Sequence, residues 1–360
     1  MKNFLPLFLF LIFVFFLGFL WIALNFSFEI KFIVAPEEKI LVWGLTKEKG
    51  FQPASIFIST LSSNPAPPKE EPEVMVLAVG DVMLDRGVEY MAEIYGGDWN
   101  FIFEKIANNL EGADILFGNL EGPVSDKGYN VGSENSFRFN PSSIAALNFA
   151  GFTVFSLANN HMLDYTALAF LDTMERLKNA GILYAGAGKD RDEAFSLKIK
   201  EIKGTKIGFL AYTNLGPKAW QAETERPGMA WIDEAGIKNI EDYIKEIKEK
   251  KLADILFVSL HSGIEYSKNP SVFQEAFSHR AIDAGADVFL GHHPHIVQPL
   301  EEYGGGWIAY SLGNFVFDQG FSSETMEGMM LEIKIKDKKI IEVTPRAIKM
   351  NSFFQPYLAE

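Results

Sequence analysis

Hydrophobic positions follow two different rhythms along this chain. From Val74 onward, short continuous apolar runs alternate with longer segments whose apolar residues recur every three or four positions. The runs Val74–Val79, Ile115–Phe117, Thr153–Leu157, Ile207–Tyr212, Ile255–Leu260 and Val288–Leu290 predict buried strands. The segments Ser142–Ala150, Thr166–Ala180, Glu234–Lys251 and Ser271–Ala284 predict helices, with Pro270 suiting the start of the last and Gly151, Gly181 and Gly285 suiting C-caps. Such alternation, with near-continuous apolar strands, predicts an α/β domain whose sheet is covered on both faces. Beyond Gly304 the pattern changes. Trp307–Phe317, Met329–Ile335 and Ile340–Ala347 predict successive antiparallel strands, with Lys336–Lys339 as a turn. Gly304-Gly305-Gly306 suits a hairpin turn better than a phosphate loop, because no strand–loop–helix context and no Lys accompany it.

The amino-terminal pattern is of another kind. Phe4–Phe28 carries no charge, and about 20 apolar residues suffice to span a bilayer core. The run exceeds the apolar region of about 7–15 residues found in cleaved signal peptides, and Asn25-Phe26-Ser27-Phe28 is a poor cleavage site. It has no polar face, as a surface helix would. Residues 1–28 are therefore expected to be an uncleaved signal-anchor transmembrane helix in the cell membrane. Lys2 and Lys31 flank it almost evenly, so the short amino-terminal tail sets the expected topology: amino end inside, single pass, main domain extracytoplasmic. Residues 29–73 form a membrane-proximal segment ending in the Pro-rich linker Ser62–Glu73. The main domain is expected over residues 74–350.

Charge narrows the function classes. The net charge of −14 argues against nucleic acid as a partner. A polyanionic substrate would need a local positive focus. With no Cys in the chain, any metal must be held by His, Asp, Glu or Asn.

Such residues gather where the expected strands end. Val74–Val79 runs into Gly80-Asp81, the next strand into Asn119-Leu120-Glu121, and Thr153–Leu157 into Asn159-Asn160-His161 with Asp164 beyond. Ile255–Leu260 runs into His261, then Glu265-Tyr266, and Val288–Leu290 into His292-His293-Pro294-His295. Five of the six His residues lie at these ends, and ligands of open α/β sheets bind beyond carboxyl strand ends. A metal site follows, with Asp81, Glu121, Asn160, His261, His293 and His295 as ligands. Glu121 is the best candidate to bridge two ions. Such a pair, about 3.5–4 Å apart, can clamp a phosphoryl or acyl oxygen and activate a water. Oxygen and imidazole donors suit divalent Mn, Fe, Zn or Ni. His161 is the candidate general acid, with Asp164 fixing its orientation. Strand alternation sends Asn160 and His161 to opposite sides. Arg86 and Arg138 could bind an anionic substrate or form structural ion pairs. Glu265 and Tyr266 are pocket-wall candidates, whereas Asn314 and Asp318 read mainly as turn residues.

These motifs, in this order, resemble the calcineurin-like metallophosphoesterase superfamily and, more specifically, the CapA family of capsule and poly-γ-glutamate synthesis proteins. The resemblance rests on Gly80–Arg86, Asn119–Pro123, Ala158–His161, His261–Tyr266, Gly291–His295 and Tyr310–Gln319. It implies a layered α-β-β-α sandwich and a role in anionic-polymer synthesis or export beside synthase or export subunits. The substrate would be the polymer or a phosphoester. A non-catalytic scaffold of the synthase complex and a general secreted phosphoesterase are the alternatives. The superfamily's first motif is Asp-x-His, whereas Val82 and Met83 follow Asp81 here. One ion therefore lacks an imidazole unless Asn119 or His292 substitutes. Ser262 stands where CapA-like sequences often carry Trp.

Overall fold

A computed structural model describes residues 72–359. The expected anchor at 1–28 and all but the last two residues of the segment 29–73 lie outside the described residues. Among the described residues no helix is long and apolar enough to cross a membrane.

One sheet contains β1 (Val74–Val82), β2 (Ile115–Leu120), β3 (Val154–Ser156) and β4 (Leu183–Ala185). A short pair follows from β5 (Ala187–Gly188) and β8 (Gly228–Met229). The second sheet contains β6 (Lys198–Ile202), β7 (Thr205–Thr213), β9 (Ile255–His261), β10 (Val288–His292), β11 (Leu300–Tyr303) and β12 (Gly306–Ala309), in the order β11-β12-β10-β9-β7-β6. The chain then returns to the first sheet through β13 (Asn314–Val316), β14 (Glu327–Lys336), β15 (Lys339–Met350) and β16 (Pro356–Leu358). The order there is β16-β15-β14-β1-β2-β3-β4, with β13 parallel to the end of β1. Strands β1 to β4 are parallel, as are β7, β9, β10 and β12.

Strands β2 and β9 are buried along their whole length, as expected of strands covered on both faces. The two sheets pack against each other through Val76, Ala78, Phe117, Phe209, Phe257 and Leu290. Phe117 and Phe209 stack with ring centroids 5.8 Å apart. Outside the first sheet, helices Arg86–Ile94, Ser143–Phe149 and Thr166–Asn179 contribute Val88, Leu147 and Phe170 to a second apolar cluster. Outside the second sheet, helix Glu234–Glu249 buries Ile237, Ile240, Ile244 and Ile247. Their three- and four-residue spacing makes one stripe, and each buried side chain contributes about 1.5–3 kcal/mol. Asp233 caps that helix, and Ser271 with Gln274 forms a capping box for Val272–Ala284. The result is a four-layer α-β-β-α arrangement.

The carboxyl-terminal expectation is corrected in one place. Met329–Ile335 and Ile340–Ala347 do form an antiparallel hairpin, turning at Asp337 and Lys338, both with positive φ. Trp307–Phe317, however, is not one antiparallel strand. Its first part is parallel to β10 in one sheet and its last part parallel to β1 in the other. The segment Tyr310–Gly313 makes the crossing, over the ends of β1 and β10. A Cβ on Gly80 would lie 1.9 Å from the Gly313 carbonyl oxygen, and one on Gly291 1.9 Å from that of Tyr310. Both positions therefore require glycine, and each immediately precedes a predicted site residue.

Candidate metal centre

Parallel strands place their carboxyl ends together, and five of them, β1, β2, β3, β9 and β10, deliver polar side chains to one buried cluster. Asp81, Asn119, Glu121, Asn159, His261 and His292 are fully buried or nearly so. The backbone at the last strand end is unusual: His293 has φ 97° and His295 φ 60°. Left-handed conformation at non-Gly residues costs about 1–3 kcal/mol each. It turns the two imidazoles, whose centroids are 5.6 Å apart, toward the cluster.

Glu121 sits at the centre. Its Oε1 has no hydrogen-bond donor. It lies 3.7 Å from His295 Nε2, 3.9 Å from His161 Nε2 and 4.0 Å from His261 Nε2. Burial, followed by the charge of Asp81, pushes the Glu121 carboxyl well above its usual range. Asp81 shifts the opposite way. Burial would raise it, but His292 and His295 outweigh burial and hold it well below the usual range. His292 Nδ1 is 3.4 Å from Asp81 Oδ1 yet makes no well-directed hydrogen bond, and its Nε2 has none either. Burial and then His293 depress His261 strongly. Burial and then His295 lower His293 to about 3. Both imidazoles are therefore neutral near pH 7, and His293 Nδ1 has no hydrogen-bond partner.

A directed chain of hydrogen bonds runs beside Glu121. Asn159 Nδ2 donates to Asn119 Oδ1 at 3.1 Å, which fixes the Asn119 amide with its nitrogen toward Asp81 Oδ1 at 2.8 Å and His261 Nδ1 at 3.2 Å. His261 Nε2 then faces Asn160 Oδ1 at 2.7 Å. Asn160 Nδ2 faces His161 Nε2 at 3.0 Å, and His161 Nδ1 faces Asp164 Oδ2 at 2.7 Å. These directions assign the tautomers: His261 carries its proton on Nε2 and His161 on Nδ1. His295 is fixed similarly. Asn314 donates from Nδ2 to the Thr325 carbonyl and Gln319 Oε1, so its Oδ1 accepts from His295 Nδ1 at 3.0 Å. His295 Nε2 is left unprotonated toward Glu121, the usual way a partner outside the site orients a ligating imidazole.

The donor set fits divalent metal. Three groups each bring ligand atoms within 4.8 Å of one another: Glu121, His261 and His293; Asp81, Glu121 and His295; and Glu265, His293 and His295. The undonated Glu121 Oε1 and the unpartnered His293 Nδ1 are buried acceptors that a cation would satisfy. Asn160 and His261 cap each other here, so both would serve as ligands only after that hydrogen bond opens.

One expectation from strand alternation fails. Asn160 and His161 face the same cluster, because β3 ends at Ser156 and the chain is already turning at Asn160. The remaining predicted residues separate. Arg86, Glu265, Tyr266, His161 and His295 line a pocket of about 440 Å³ at the mouth of the cluster. Arg86 is ion-paired with Asp318 and sits 4.7 Å over the Phe137 ring. Arg138 does not line this pocket; its guanidinium lies 4.3 Å over Tyr165. Asn159, Phe137 and Asn314 belong to the site's framework; the sequence does not single out the first two, and Asn314, read there mainly as a turn residue, orients His295 instead. Phe137 lies 4.2 Å from the His161 ring. Asn159 carried a signal as part of an Asn-Asn-His strand end, and Asn314 as part of the Tyr310–Gln319 motif.

Residues 75–319 match the family model described as "Bacterial capsule synthesis protein PGA_cap". The capsule biosynthesis protein CapA of Bacillus anthracis is 33% identical over 80% of this chain and 71% of its own. The PGA biosynthesis protein CapA of Bacillus subtilis is 34% identical over 77% of this chain and 74% of its own. Among solved structures, a phosphatase of Mycoplasma pneumoniae aligns at a TM-score of 0.48 and 14% identity, over 78% of this chain and 94% of that one.

Proposed function

The chain belongs to the bacterial capsule synthesis protein family PGA_cap, and from that premise we propose that its α/β domain works as a metal-dependent hydrolytic centre in capsule or poly-γ-glutamate synthesis. As a CapA-like protein it is an accessory of that synthesis. The hydrolytic centre, the single-pass anchor and the extracytoplasmic placement are our reading. So are the partners, which would be synthase or export subunits, and the substrate, an anionic polymer or a phosphoester.

One observation carries the proposal. A fully buried carboxylate oxygen, Glu121 Oε1, lacks any donor while three imidazole Nε2 atoms stand 3.7–4.0 Å away. A structural core would not leave such a group unsatisfied. Asp81, Glu121 and His295 would hold one ion, and Glu121, His261 and His293, with Asn160, a second. Bound there, divalent ions supply Lewis-acid stabilisation of developing negative charge. The chain's own residues then divide the work. His161, held through Nδ1 by Asp164, would pass a proton to a leaving group from Nε2 once that nitrogen is protonated and released from Asn160. Phe137 packs against it and limits water. Arg86 and Tyr266 border the entrance.

Metal analysis of the purified full-length chain, together with assays on a chromogenic phosphoester and a γ-glutamyl polymer, tests the proposal. Bound divalent metal with metal-dependent turnover supports it; metal-free protein after loading, or loaded protein without turnover on either substrate, overturns it. The scaffold alternative draws on Val82 and Met83, which are buried and apolar beside Asp81.

A further inference from the structure

We propose that Glu265 is an additional metal ligand that closes the centre on its solvent side, an assignment resting on the metal reading above. The need arises next to Asp81. An ion held by Asp81, Glu121 and His295 would receive no donor from Val82 or Met83, whose side chains are fully buried and apolar apart from a thioether that accepts the Asp85 N–H. His295, which would hold that ion, lines the pocket together with Glu265.

Geometry supports the assignment. A Glu265 carboxylate oxygen and one ring nitrogen each of His293 and His295 lie within 4.8 Å of one another. His293 is nine-tenths buried and its Nδ1 has no partner. Glu265 is exposed, but its carboxylate stands against two buried imidazoles at a spacing that could hold one cation, whereas a surface Glu placed for solubility faces water alone.

The loop carrying Glu265 is also built to hold it there. Gly263, at φ 118°, turns the chain sharply after His261. Tyr266 N donates to the Pro294 carbonyl at 2.8 Å, fastening the loop to the histidine segment. Gln298 Nε2 donates to the carbonyls of Ser267 and Asn269 at 2.8 and 3.0 Å. The Tyr266 ring, itself on a residue with φ 61°, lies 6.2 Å from that of His295. A third carboxylate also makes the sphere richer in oxygen, which suits Mn2+ better than softer ions.

Titration of metal-free full-length protein with Mn2+ in a calorimeter tests this, comparing the parent with Glu265→Gln, Glu265→Ala and Glu302→Gln, an exposed strand carboxylate serving as the charge control. Both Glu265 variants are expected to bind at least about tenfold more weakly, with the thermal transition of the metal-free protein unchanged and the control binding as the parent does. Affinity within twofold of the parent in both Glu265 variants overturns the assignment while leaving the metal centre intact. Equal weakening in the control overturns it too, by reducing the effect to overall charge. A folded parent that binds no Mn2+ removes the metal reading itself, and this inference with it.

Discussion

His161 Nδ1 lies 2.7 Å from Asp164 Oδ2, three residues along the same turn, while His161 Nε2 looks 3.9 Å across to Glu121 Oε1. One ring nitrogen is thus held and the other presented. Asp164 also accepts the Phe137 N–H at 2.9 Å, so the carboxylate is itself fixed. His161→Ala is expected to keep metal and fold but lose roughly 10²–10⁴-fold in turnover. Asp164→Asn should lose less, because orientation weakens while the acid stays. Loss of bound metal in His161→Ala, or full turnover, contradicts this role.

Glu121 links metal binding to pH. Its carboxyl is held well above the usual range in the metal-free protein, so it keeps its proton to a higher pH than an ordinary carboxyl. A cation requires the carboxylate, so binding below that range must release the proton. Affinity should rise with pH until Glu121 ionises unaided, then level off. Calorimetry in two buffers of different ionisation enthalpy reads the proton count directly. A count of zero at neutral pH would mean that Glu121 is already ionised or is not a ligand.

Gly80 tests the crossing segment. An added methyl would meet the Gly313 carbonyl at 1.9 Å, and main chain cannot rotate away as a side chain can. The same segment is tied by the Asp81 N–H to the Gly313 oxygen at 3.0 Å. Gly80→Ala should destabilise the domain by about 3 kcal/mol, the upper part of the range for overpacking. Denaturant unfolding measures it, and an unchanged midpoint would show that the crossing is freely displaced.

The two arginines should behave differently. Arg86 borders the pocket, whereas Arg138 lies on Tyr165 outside it. Arg86→Ala is expected to raise KM for an anionic substrate several-fold with a smaller change in kcat. Arg138→Ala should leave both within about twofold. Steady-state kinetics on the same substrate decide, and equal effects would remove the distinction.

The described domain should stand without the residues before it. Among the described residues its three apolar clusters run from Val74 onward. Residues 70–360 expressed alone are expected to unfold in one cooperative thermal transition. Aggregation without a transition would show that the amino-terminal segment completes the fold.

Periodicity alone located β1, β2, β3, β7, β9 and β10, because buried parallel strands leave continuous apolar runs that no surface element imitates. It also located the main helices by their buried stripes. The same runs marked the site, since a parallel strand that ends in Asp, Asn, Glu or His must present it at the shared edge. The edge strands β4, β6, β11 and β16 left no such mark: partly exposed, they alternate weakly or are too short to show a period. Trp307–Phe317 reads as one strand because Leu312 and Phe315 are as apolar on either side of a crossing as within a strand. Only the packing of two sheets decides that the chain changes sheet at Gly313. Likewise, the sequence gathers Asn160, His161 and Asp164 but does not say where the strand stops, and therefore which way each side chain points. The hydrogen-bond directions that leave His295 Nε2 and Glu121 Oε1 unclaimed join residues as far apart as 119 and 261, or 295 and 314. Such pairings depend on distance in space, which a local pattern does not encode.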